Sequence, residues 1–147
     1  MKKVKALFIS GILALSTLTG YHTIQVHARE ANAFVEPTII RATCYNEHGT
    51  TASGQETRQG IVAGRKEWLG YVACINKVNP DGTVGEFIGY FEFTDTGAGI
   101  DSDGDGKGDT IRTGNSIDIW VEDDEAVRLW QKEVGDYVYI KIIKGVG

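Results

Sequence analysis

Between Thr38 and Ile143 the apolar residues come in short β-branched or aromatic runs separated by glycine-rich turns, so the chain must be built mainly from strands. The clearest pair is "LGYVACINKV" (69–78) and "VGEFIGYFEFTD" (84–95). They flank Asn79-Pro80-Asp81-Gly82, a turn sequence that predicts a hairpin. "TIIRATCY" (38–45), "SIDIWV" (116–121) and "DYVYIKII" (136–143) read as further strands, and "NEHGTTASGQETRQG" (46–60) as a polar loop. Only "EDDEAVRLWQK" (122–132) has helical character: acids at its start, bases near its end, and Ala126, Leu129 and Trp130 at helical spacing. With 19 glycines to serve the turns, a compact β-barrel is expected, because closure removes exposed strand edges in so small a domain.

The N-terminus has a different logic. Met1-Lys2-Lys3-Val4-Lys5 is basic, Ala6 to Leu18 is apolar, and Val26-His27-Ala28 offers small residues at a cut site. That pattern predicts a secretory signal peptide over 1–28, cleaved after Ala28. An apolar run of 13 residues is too short to span a bilayer as a helix, which needs about 20. No membrane anchor is expected after cleavage, since no cysteine follows the run before Cys44. Residues 29–37 read as a short tether and 38–147 as the domain. Removing three lysines leaves 12 basic against 20 acidic residues, a net charge of −8 compared with −5 for the whole chain. Such a surface argues against nucleic acid as a partner. It leaves a polysaccharide open, since sugars are recognised by hydrogen bonds and aromatic faces. A monomer is expected.

Cys44 and Cys74 are the only cysteines. An exported domain permits a disulfide between them, and its 30-residue loop would contribute about 3–4 kcal/mol. Two free buried thiols are the alternative. A zinc site is not expected, because no matching histidine pair accompanies them.

The loudest motif is "DSDGDGKGD" (101–109). Asp101, Asp103 and Asp105 have the spacing of ligands 1, 3 and 5 of a calcium loop, Gly106 supplies the bend, and Asp109 stands at position 9. Arg112 occupies position 12, where an EF-hand carries its bidentate glutamate, and no helix pattern flanks the loop. An EF-hand is therefore excluded. Structural Ca²⁺ held by these four aspartates, with extracellular-type affinity of roughly 0.1–1 mM, is the expectation, and no cofactor is otherwise required. The alternative is a solvated turn that uses Asp and Gly for backbone reasons.

On either side of this insertion lie "FTDTGAG" (93–99) and "IRTGNSIDIW" (111–120). With "ATCY" (42–45), "TASG" (51–54) and "GIVA" (60–63) ahead of them, the order of motifs resembles the 3D, or three-aspartate, domain family. That family occurs in secreted bacterial cell-wall proteins and in MltA-type lytic transglycosylases. The resemblance covers roughly residues 40–143. It implies a small six-stranded double-psi β-barrel with one short helix, in the bacterial cell envelope or secreted, acting on peptidoglycan glycan strands. It further implies that Asp118 is the acid/base that cleaves the MurNAc–GlcNAc bond and that Asp95 supports it. Gly64-Arg65-Lys66 stands where the family has its first aspartate.

Strand alternation puts Ile117, Ile119 and Val121 on one face and Ser116, Asp118 and Trp120 on the other. A carboxylate beside an indole suits a sugar, with Trp120 as an apolar platform and Asp118 protonated by desolvation. Thr51, Ser53, Gly97 and Asn115 are expected to line the binding groove, and a calcium ion held at 101–109 would set the distance between Asp95 and Asp118. Two other readings compete. A glycan-binding barrel module that does not cut is favoured by the departure at Gly64-Arg65; a calcium-stabilised structural domain rests only on residues 101–109.

Overall fold

The computed structural model describes residues 33–144. The signal peptide expected over 1–28 and the first residues of the tether lie outside the described residues. Six strands form one sheet that closes on itself: β1 (Ala33–Tyr45), β2 (Ile61–Gly64), β3 (Val72–Val78), β4 (Val84–Thr96), β5 (Ser116–Trp120) and β6 (Tyr137–Ile143). Around the ring they run β1-β5-β2-β4-β3-β6 and back to β1. β1 with β5 and β2 with β4 are parallel pairs, and the remaining neighbours are antiparallel. Among the described residues there is one α-helix, α1 (Asp124–Glu133), and a 3-10 turn at Lys66–Trp68.

The hairpin of β3 and β4 forms where the turn sequence predicts it. Gly82 adopts φ 82°, its N–H donates to the Asn79 carbonyl at 2.8 Å, and the Asp81 carboxylate accepts from the Thr83 N–H at 3.0 Å. α1 likewise matches its signals. Asp123 caps it by accepting from the Ala126 N–H at 2.8 Å, and Ala126 and Trp130 face inward.

β1 starts earlier than expected. Ala33 and Val35 pair with Ile143 and Ile142 of β6, so most of the segment read as a tether belongs to the sheet. Its polar residues hid a strand whose register shifts twice before Thr38.

Alternate residues of the strands fill the ring: Ile40 and Ala42 of β1, Val62 of β2, Ala73 and Ile75 of β3, Phe91 and Phe93 of β4, Ile117 and Ile119 of β5, and Val138, Ile140 and Ile142 of β6. Trp130 of α1 joins this core edge-on to Phe91, with centroids 6.4 Å apart. Gly64 is a packing requirement here, since a Cβ at that position would run into the Phe93 ring and come within 2.9 Å of Trp68. The site is built from residues between these core positions, such as Thr43, Ala63 and Asp118, and from Asp95, which a register shift between β2 and β4 after Val62–Phe93 sets opposite Ala63 although it is in phase with Phe91 and Phe93.

Cys44 and Cys74 are not joined to each other by a disulfide. Cys44 sits on β1 and Cys74 on β3, with β6 between those strands. Two strand spacings of about 4.8 Å exceed the Cα separation a disulfide can bridge, which is at most about 6.8 Å.

Candidate functional site

Register places four residues in one row across four neighbouring strands. Thr43 of β1 is the partner of Asp118 on β5. Asp118 is the partner of Ala63 on β2, and Ala63 is in turn the partner of Asp95 on β4. The two aspartates singled out in the sequence therefore flank one small residue, with their Cα atoms two strand spacings, on the order of 9–10 Å, apart. Ala63 leaves the floor between them low. An open cleft of about 500 Å³ lies over this row, walled by Tyr45, Asn46 and Glu47 on one side and Thr96 and Gly97 on the other. Among the described residues, no lysine, arginine or histidine lines it.

Each carboxylate has its own setting. Asp118 lies between Ile117 and Ile119, which are 0% and 1% exposed. Its Oδ1 accepts a hydrogen bond from the Thr43 hydroxyl at 2.8 Å. Burial pushes its pKa up to about 6; the Thr43 hydrogen bond opposes this, and the negative charges of Glu47 and Asp95 reinforce it. Asp95 is held by three donors: the Tyr45 hydroxyl at 3.1 Å, the Ala52 N–H at 3.0 Å and its neighbour Thr96 N–H at 2.9 Å. The Tyr45 phenol is pushed above its ordinary range, first by burial and then by the charge and hydrogen bond of Asp95. Burial and the charge of Asp118 likewise push the Cys44 thiol up.

Thr43, Tyr45 and Glu47 were not singled out in the sequence, although Thr43 and Tyr45 are alternate residues of β1 and so share a face. The partners they meet lie 50 to 75 residues away, which no local pattern reveals.

Several expected binding residues take other parts. Trp120 is 5% exposed and does not line the cleft. Its Nε1 donates to the Glu47 carbonyl at 2.9 Å, and His48 meets its ring edge-on at 5.4 Å. The indole is thus a strut that fixes the rim, not a platform, because loop 46–48 folds over the face that alternation leaves open. Thr51 is buried, Ser53 is exposed, and their hydroxyls pair at 3.1 Å outside the cleft. What "TASG" contributes is backbone: the Ala52 N–H to Asp95, and the Ser53 N–H to the Thr94 carbonyl at 2.9 Å. Asn115 is exposed, donates to the Thr113 hydroxyl at 3.0 Å, and does not line the cleft. Gly97 does line it. Arg65 pairs with Glu67 at 2.9 Å and lies over the Trp68 ring, away from the cleft lining.

The acidic loop stands apart. Carboxylate oxygens of Asp101, Asp103 and Asp105 lie within 4.8 Å of one another on the surface, a hard-oxygen set that suits Ca²⁺. The loop's own N–H groups also use them. Gly104 and Gly106 donate to Asp101 at 2.7 and 2.8 Å, holding its carboxyl below the usual range, and Lys107 donates to Asp105 at 2.8 Å. Asp109 is not part of this set. It is 7% exposed and turned inward, accepting from the Ser102 N–H and hydroxyl at 3.1 and 2.7 Å. The base of the insertion is pinned by backbone bonds from Asp109 to Ile100 at 3.0 Å and from Ile111 to Ala98 at 3.1 Å. No protein-family model, curated protein or solved structure matches this chain.

Proposed function

We propose that this chain is a secreted, peptidoglycan-cleaving glycosidase of the three-aspartate, double-psi β-barrel type, working as a lytic transglycosylase. The observation that carries the proposal is the row Thr43–Asp118–Ala63–Asp95 beneath an open cleft, with Asp118 and Asp95 on its floor and Glu47 on its wall. The parallel pairs β1–β5 and β2–β4 support the double-psi assignment.

In this reaction protonated Asp118 gives its proton to the oxygen of the MurNAc–GlcNAc bond, and the C1–O bond breaks. The GlcNAc 4-hydroxyl leaves with that proton. The Asp118 carboxylate then removes the proton of the MurNAc 6-hydroxyl, whose oxygen bonds to C1 and closes a 1,6-anhydro ring. Asp118 returns to its starting form and no water is consumed. One enzyme carboxylate suffices because the nucleophile belongs to the substrate, whereas ordinary hydrolysis uses two. A carboxyl raised to about 6 is suited to giving and retaking one proton. Asp95, oriented by Tyr45, Ala52 and Thr96, lies across the floor to stabilise the developing positive charge. Ca²⁺ on Asp101, Asp103 and Asp105 is a structural accessory in the same proposal.

The test is digestion of purified peptidoglycan by wild type and Asp118→Asn, with mass spectrometry of soluble products. Anhydromuropeptides from wild type alone are expected. Reducing-end products would replace transglycosylation with hydrolysis, and an equally active mutant would refute the assignment of Asp118. A second reading, a glycan-binding module, is favoured by the single observation that Arg65 stands where the family has an aspartate and pairs outward with Glu67. Binding without products in both proteins would establish it.

A further inference from the structure

We infer that Tyr45 is the positioning residue of the cleft: its phenol ties Asp95 in place from the opposite wall and so sets the relation between Asp95 and Asp118. The inference rests on the cleft being the glycan-cleaving site proposed above, but the contact itself is independent of that proposal.

β1 and β4 are not neighbours. On the cleft side of the ring β5 and β2 lie between them. Along the sheet the path between them is three strand spacings, on the order of 14 Å, and closure of the ring brings the strand ends nearer than that. Among hydroxyl side chains only a tyrosine is long enough to make this connection. Tyr45 does so, donating to Asp95 Oδ2 at 3.1 Å. Oδ1 of the same carboxylate takes both backbone donors, Ala52 and Thr96. Oδ2 therefore depends on Tyr45 for its orientation, and Tyr45 stands on the same outward face of β1 as Thr43, which holds Asp118. One strand thus supplies a hydroxyl to each acid.

The rim next to Tyr45 is itself anchored. Asn46 donates to Asp124 at the start of α1 at 2.8 Å, and Trp120 donates to the Glu47 carbonyl. The ionisable groups lining the cleft are Cys44, Tyr45 and Glu47 from β1 and its continuation, Asp95 from β4, and Asp118 from β5. With the Tyr45 hydroxyl removed, the Asp95 carboxylate pivots on its Oδ1 bonds toward solvent. Its repulsion of Asp118 is then more strongly screened, and Asp118 loses its proton at lower pH.

The experiment compares wild type with Tyr45→Phe, which keeps the ring and removes only the hydroxyl. The expected result has three parts: peptidoglycan turnover at saturating substrate lowered by about tenfold or more, as for a misplaced catalytic group; KM within about twofold, because uniform binding is retained; and an alkaline limb of the pH–rate profile moved to lower pH. A merely structural role would lower the melting temperature and leave the limb where it is. Wild-type turnover with an unmoved limb in Tyr45→Phe overturns the inference. A second measurement does not depend on turnover. Ultraviolet titration of the tyrosines in wild type and Asp95→Asn should show one phenol ionising earlier in the variant, since the charge and hydrogen bond of Asp95 hold Tyr45 up. Identical titrations would overturn the contact. If wild type releases no products while the titrations differ, the enzymatic proposal falls and the tie between Tyr45 and Asp95 stands.

Discussion

Asp118→Asn is expected to make the protein more stable at neutral and alkaline pH while abolishing cleavage. The carboxyl is raised from its ordinary 3.8 to about 6. Ionising it in the folded protein therefore costs up to about 3 kcal/mol, at about 1.4 kcal/mol per tenfold change. The group faces an open cleft, so screening by water reduces this to roughly 1–2 kcal/mol. Below pH 3.8 the carboxyl is protonated whether the chain is folded or not, and its contribution to stability is fully present. As pH rises the unfolded chain ionises first and stability drains away, until the full cost is reached above about pH 6. Asparagine has no such cost, and its amide oxygen can still accept from Thr43. The variant should thus melt about 4–8 °C higher than wild type at about pH 8 and within about 1 °C of it at about pH 3. Circular-dichroism melts of both proteins across that range check this. A variant that melts lower at alkaline pH, or an advantage of equal size at both ends, would show that the buried Asp118 charge does not destabilise the fold.

Two further outcomes follow from the floor of the cleft and from the insertion. Ala63→Leu, which fills the gap between Asp95 and Asp118, should cost about 1–3 kcal/mol in urea unfolding and cut peptidoglycan cleavage by at least about tenfold. Ala63→Gly should retain cleavage. Calorimetric titration should detect Ca²⁺ binding with Kd of roughly 0.1–1 mM that Asp103→Asn weakens, and its absence at millimolar calcium would remove the ion from the scheme. Cleavage should be unchanged in excess chelator, because backbone bonds at residues 98–111 already close the base of the insertion.

Much of the fold was legible because its determinants are local. The hairpin follows from Asn79-Pro80-Asp81-Gly82, and α1 from its acidic start and Asp123 cap. The alternation of Ile117 and Ile119 correctly set Asp118 on the outward face. What failed were inferences that an outward residue is an accessible one. Trp120 shares that face, yet a loop seventy residues earlier in the chain covers it and uses its N–H. Asp109 fits a metal-ligand spacing, yet its carboxylate serves Ser102. Thr43 and Tyr45 were invisible as site residues because their only distinction is which distant carboxylate they meet.

Ala63, the common register partner of Asp95 and Asp118, has a consequence for how the molecule comes into being. The row above it draws residues 43, 63, 95 and 118 from four strands, two of the junctions being parallel and thus reached only through long crossovers. Such non-local pairing folds slowly. The acid pair therefore exists only after the ring has closed: a nascent or partly unfolded chain carries every residue of the site and none of its geometry.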